Sequence, residues 1–101
     1  MTEIEKVRAS GHAIQYLENP AEEVQLEAVR KNWWAIRYLK NPSETVQMEA
    51  ASQNGYTLQF LDNPSEAVQL CAICQDGWAI NYIKNPSEKV KQAEESKRKS
   101  K

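Results

Sequence analysis

The sequence predicts an all-α protein, an α-solenoid of short helix-turn-helix repeats, and three observations in its 101 residues predict it. The dipeptide Asn-Pro recurs at residues 19, 41, 63 and 85, always 22 apart. Between these marks NPAEEVQLEAVRKNWWAIRYLK, NPSETVQMEAASQNGYTLQFLD and NPSEAVQLCAICQDGWAINYIK repeat one pattern of apolar and polar residues. Each copy also carries helix-start and helix-stop residues at two places, so two short helices fit in one unit. A fixed period of this length marks a stack whose units bury their faces on one another. The chain then reads as one domain over 1–95, with three full units, 19–40, 41–62 and 63–84, between partial capping units 1–18 and 85–95. A basic disordered tail is expected at 96–101.

Residues 3–18 match the later part of the unit, with VRASGHAIQYLE against VRKNWWAIRYLK. In the full units Asn-Pro-Ser-Glu reads as a helix start. Asn is a favoured N-cap, proline suits the first helical position, and the Glu is expected to reach back as in a capping box. The first helix of a unit runs about three turns, to Gln53 or Gln75, where Asn54-Gly55 or Asp76-Gly77 supplies the stop and the next start. The second helix, Trp78–Lys84 in the third unit, has room for about two turns. Residues 85–101 match only the beginning of the unit. There Gln92 and Glu94 stand at columns held by Leu70 and Ala72, so Val90 faces inward and polar groups face outward, as on a terminal cap.

Helices this short are marginal alone, so their stability has to come from stacking. On the first helix Val68, Ala72, Ile73 and Leu70 spread over more than half the circumference. On the second, Ile14, Ile36, Leu58 and Ile80 form one core column and Leu17, Leu39, Leu61 and Ile83 another. Gln25, Gln47 and Gln69 fall inside the apolar arc. A buried amide needs a hydrogen-bond partner, so this column is expected to tie its helix to an interhelical turn; the alternative is an edge position that reaches water.

Lys plus Arg number 13 and Asp plus Glu 14, which gives no whole-chain charge argument for nucleic acid or membrane. The distribution is uneven: residues 1–86 hold 7 basic and 11 acidic side chains, residues 87–101 hold 6 and 3. No stretch approaches the ~20 apolar residues of a membrane helix, and MTEIEKVRAS has no signal-peptide pattern, so a cytoplasmic protein is expected. Pro42 excludes a glycosylation acceptor at Asn41. Two close cysteines do not make a secreted disulfide scaffold.

The stretches Val24–Leu39, Val46–Leu61 and Val68–Ile83 share the pattern VQLxAVxxNGWAIxYL. It resembles the short helical repeats grouped as a domain of unknown function in bacterial, phage and giant-virus proteins, over nearly the whole chain. The resemblance implies an α-helical array, with no agreed activity and no catalytic residues. Gln25, Gln47 and Gln69 depart from it, since many members are apolar there. Trp33 departs too, standing where the other units have Gly11, Gly55 and Gly77.

Two aromatic columns are the most suggestive feature for function: His12, Trp34, Tyr56 and Trp78, with Tyr16, Tyr38, Phe60 and Tyr82 four residues on. Such ladders can grip a peptide or stack bases, but here they read first as packing between units, because every unit carries them. Trp33 is unique to its unit, so an exposed Trp33-Trp34 pair is the best contact point. Cys71 and Cys74 form a CxxC late in a helix, away from the N-terminal dipole that activates such thiols. By column Cys71 replaces Glu27 and Glu49 and is expected to be exposed. A metal site lacks further ligands, and the sole histidine, His12, has no catalytic partner.

These readings converge on a non-catalytic protein-protein interaction module without metal, cofactor or small-molecule substrate. Its contacts are expected on one lateral face: Trp33, Trp34, Arg37, Lys40, Gln59, Asp62, Asn81 and Lys84. The alternatives are nucleic-acid binding through the basic tail and aromatic ladder, or a phage-type, anti-CRISPR-like inhibitor of a host defence nuclease, an idea that comes only from the family resemblance.

Overall fold

The computed structural model describes residues 2–17 and 20–99, without the side chains of Val7 and His12. Five α-helices, α1 (Glu3–Ala9), α2 (Glu22–Lys31), α3 (Glu44–Gln53), α4 (Glu66–Gln75) and α5 (Glu88–Lys99), alternate with four 3-10 helices. The latter are η1 (Gly11–Tyr16), η2 (Trp33–Tyr38), η3 (Gly55–Phe60) and η4 (Gly77–Tyr82). Among the described residues there is no strand. Each α-helix packs on the next, and each 3-10 helix lies against the α-helices before and after it and beside its neighbouring 3-10 helices. The molecule is elongated, 48 × 25 × 16 Å.

The second helix of each unit, expected to be α-helical, is a 3-10 helix. Its bonds run to the third residue back, as from the Leu39 amide to the Ile36 carbonyl at 3.1 Å. The length of the unit explains this. Six residues at about 2.0 Å rise span about 12 Å, close to the roughly 15 Å of the ten-residue α-helix beside them, whereas six α-helical residues fall short.

The cap also differs from expectation. Ser43 and Ser65, not the asparagines, are the N-caps, with Oγ accepting from the Val46 and Val68 amides at 3.3 Å. Proline therefore precedes the cap, and Glu44 and Glu66 open the helix at its first position, too early to close a capping box. Glu66 instead accepts from the Ser87 hydroxyl at 2.6 Å, linking two successive units. Among the described residues a true capping box occurs at α1, between Thr2 and Glu5. The helix stops are Asn32, Asn54 and Asp76 in extended conformation, and Gly55 and Gly77, which follow the last two, have no positive φ.

The glutamine column does tie helix to turn. Gln25, Gln47 and Gln69 donate to the carbonyls of Pro20, Pro42 and Pro64 at 2.8, 2.8 and 3.0 Å, which are the turns leading into their own helices. A second glutamine column joins neighbouring helices. Gln53 donates to the Val29 carbonyl at 2.9 Å and Gln75 to that of Ser52, both in last turns where carbonyls lack an intrahelical partner.

The core divides in two. Ile14, Val24, Ala28, Val29, Ala35, Ile36, Val46 and Ala50 form one cluster; Ala51, Leu58, Val68, Ala72, Ile73, Ala79 and Val90 form the other. Leu61 packs against both. Leu17, Leu39 and Ile83 are half-buried at the cluster margins, as is Ile80, so only Ile14, Ile36 and Leu58 of the expected columns are fully enclosed. Val90 is wholly buried under α5, as the cap pattern predicts.

The tail expected to be disordered from residue 96 continues α5 to Lys99. Glu94 with Arg98 at 3.2 Å and Glu95 with Lys99 at 2.9 Å are acid-to-base pairs one turn apart, the order that supports a helix. Ser100 and Lys101 lie outside the described residues.

Candidate functional site

The four 3-10 helices carry the aromatic columns along one row. Within η4, Trp78 and Tyr82 meet edge to face at 5.9 Å, and within η2, Trp34 and Tyr38 do so at 6.4 Å. Between units Tyr56 of η3 lies 4.3 Å from Trp78 and 5.8 Å from Tyr82, so three rings form one triangle across η3 and η4. Nearer the N-terminus the Arg37 guanidinium lies 5.7 Å from both the Tyr38 and Phe60 rings, a bridging cation–π arrangement. Trp33 reaches the same Phe60 ring at 6.3 Å. Thus the aromatic columns do pack between units, and they also remain partly open: Tyr56 is 42%, Trp78 41%, Tyr82 38% and Phe60 38% exposed. The Tyr82 hydroxyl is held above its ordinary pKa, first by desolvation and then by Tyr56.

The structure distributes the eight residues expected at the contact face. Trp33 and Trp34 are half-buried, not the exposed pair expected, because Trp33 packs against the first core cluster as well as on Phe60. Arg37, Lys40, Gln59, Asp62, Asn81 and Lys84 are exposed. Lys40 lines a depression of about 640 Å³ with Ile14, Leu17, Gln25, Tyr38 and Leu39. Asn81 lines a separate groove of about 440 Å³ between η4 and α5, with Gly77, Trp78, Ile80, Glu94, Lys97 and Arg98. The aromatic residues Tyr56, Phe60, Trp78 and Tyr82 were legible as columns, but their openness was not. Lys97 and Arg98 belong to this groove because α5 is helical through them, for which the spacing of Glu94 to Arg98 was the available signal.

Cys71 and Cys74 are free thiols. Cys71 is half-buried against the second core cluster, not exposed as its column suggested. Glu27 and Glu49 of the same column are half-buried too, at ion pairs with Arg8 at 3.3 Å and Arg30 at 3.2 Å, so the column as a whole lies at the margin between neighbouring α-helices. Burial, then the neighbouring Cys74, pushes the Cys71 pKa up. Cys74 is the exposed member. Among the described residues no cluster of three or more His, Cys, Asp or Glu side chains is placed to hold a metal ion, and no helix is long and apolar enough to cross a membrane. The side chain of His12 lies outside the described residues.

These features define an all-helical protein with a partly open aromatic row on its 3-10 helices. Compared with protein families, curated proteins and solved structures, the chain gives no match in any of the three.

Proposed function

We propose that the chain is an α-solenoid of 22-residue helix pairs that acts as a non-catalytic protein-binding module, with the 3-10 row as its contact face. This reading keeps the resemblance to short helical repeats as its structural analogy. The observation that carries it is the run of open rings, Tyr56, Phe60, Trp78 and Tyr82. Rings serving only the interior have no reason to stay open to solvent, whereas aromatic and arginine side chains supply most of the energy at protein interfaces. Arg37, Lys40, Gln59, Asp62, Asn81 and Lys84 are exposed polar groups carried on or beside the same 3-10 helices, and half-buried Trp33 and Trp34 pack on Phe60 and Tyr38 of the row. The exposed free thiol of Cys74 suits a reducing, cytoplasmic setting.

The test is affinity capture from host lysate by the wild type, Trp78→Ala and Asn81→Arg, with thermal unfolding measured on each. Both substitutions are expected to weaken capture of the same partner by about tenfold or more, the usual effect at an interface hot spot, and Asn81→Arg to do so without lowering the melting temperature. Capture that survives both overturns the reading. Binding of single-stranded oligonucleotide that weakens steeply with salt, in place of protein capture, makes the module a nucleic-acid binder instead. Trp33→Gly is expected to lower the melting temperature, since Trp33 packs on Phe60 and the core.

A further inference from the structure

We propose that the groove between η4 and α5 holds an acidic peptide segment, with an Asp or Glu carboxylate taken by Lys97 and Asn81 and an adjacent apolar side chain laid on Trp78 and Ile80. The inference rests on the protein-binding reading and names the chemistry of the partner. The groove measures about 440 Å³, within the range of sites that enclose a few side chains. Its apolar wall is Trp78, open to solvent on that side, with Ile80 beside it. Its polar wall comes from the last turns of α5 and from Asn81.

Charge decides the occupant. Three ionised groups line the groove, Glu94, Lys97 and Arg98. Glu94 is held by Arg98 at 3.2 Å, and the nearby Lys99 is held by Glu95 at 2.9 Å. Lys97 has no anionic partner among the described residues, so the groove presents one unneutralised ammonium beside a carboxamide that also donates hydrogen bonds. Gly77 leaves room for this placement. A Cβ there meets the Lys97 Cγ at 3.3 Å, so the missing side chain lets the lysine stem lie against η4. One free cation matches one carboxylate. Nucleic acid is disfavoured, because its affinity grows with the number of phosphates neutralised and the groove offers one cation not already paired, beside the Glu94 carboxylate.

The test uses a fluorescein-labelled, C-terminally amidated peptide of alternating Glu and Leu, in which the only carboxylates are side chains, and reads anisotropy at about 50 mM salt, where screening is modest. Its comparators are the same peptide with Lys for Glu, a free-acid Leu-Ser peptide and an oligodeoxythymidylate. Saturable binding of the Glu peptide is expected. Lys97→Glu should weaken it by about tenfold or more, as loss of a charged hydrogen bond does. Trp78→Ala should weaken it too, and Lys89→Glu, the same charge change at another exposed position of α5, should leave it within about twofold. Unfolding curves on each variant separate binding from folding. The proposal is overturned by no saturable binding of the Glu peptide, by equal losses from Lys89→Glu and Lys97→Glu, or by equal or tighter binding of any comparator. In lysate, capture abolished by Trp78→Ala but untouched by Lys97→Glu overturns the groove assignment alone; no capture by the wild type overturns the module reading itself.

Discussion

Thr57 carries its hydroxyl into the core with no hydrogen-bond partner, at a position where η2 and η4 place Ala35 and Ala79. An enclosed, unpaired hydroxyl costs about 1–3 kcal/mol, and valine keeps its shape without the polar atom. Thr57→Val is therefore expected to raise stability by about 1 kcal/mol or more in urea unfolding; a loss of stability would reveal a partner for that oxygen. Gly55 and Gly77 occupy the same column yet answer differently to a methyl group. At Gly55 the added Cβ meets the Ala72 carbonyl oxygen and the Ala79 Cβ at 3.1 Å, and neither can move without shifting a helix. At Gly77 it meets only the flexible stem of Lys97. Gly55→Ala should cost about 1–3 kcal/mol, as overpacking does, and Gly77→Ala clearly less. Equal melting temperatures would refute the distinction. The sequence shows two glycines after Asn or Asp and invites a turn argument for both; the close approach that distinguishes them exists only between helices.

At the scale of elements, the three ten-residue helices form a natural capping series. α3 and α4 begin at Ser43 and Ser65, each with a hydroxyl on the third amide of the helix, while α2 begins at Ala21 with no side-chain cap. Ala21→Ser is thus expected to stabilise the protein by about 0.5–2 kcal/mol, read from the shift of the urea midpoint at constant slope. No shift would mean that the turn before α2 differs from the others. The existence of both helices in each unit, and the ends of the α-helices at Gln53 and Gln75, were legible from apolar spacing and stop residues. The type of the second helix was not. Six residues satisfy either period, and only the length of the α-helix alongside selects the form with the larger rise. Likewise the cap shifted from Asn to Ser because local preference admits both and the geometry of the turn chooses.

The whole molecule is a row of packed helix pairs whose apolar interior divides between Ala50 and Ala51, with Leu61 touching both halves. In such an elongated packing each pair depends on its neighbours, and cooperativity is only as strong as the contacts between them. Leu61→Ala should weaken that joint, broadening the urea transition and separating unfolding reported by helical ellipticity from that reported by tryptophan fluorescence. Coincident, sharp transitions in the variant would show that the halves are joined by other means. The exposed ion pairs from Arg8 through Glu27 and Arg30 to Glu49 add little to this coupling, because such pairs are screened and mobile.

By itself the sequence determined the helical class, the 22-residue period, the helix boundaries at the stops and part of the core, Ile14, Ile36, Leu58, Val68, Ala72 and Ile73, since all of these follow from spacing along one chain. It did not show that Leu17, Leu39, Ile80 and Ile83 lie half-buried at the margins. The tertiary structure alone decided which aromatic rings stay open, which cysteine is covered, and that Lys97 stands beside Trp78. Those are relations between residues on different helices, set by how closely neighbouring helices approach, and no periodicity within one helix encodes that distance.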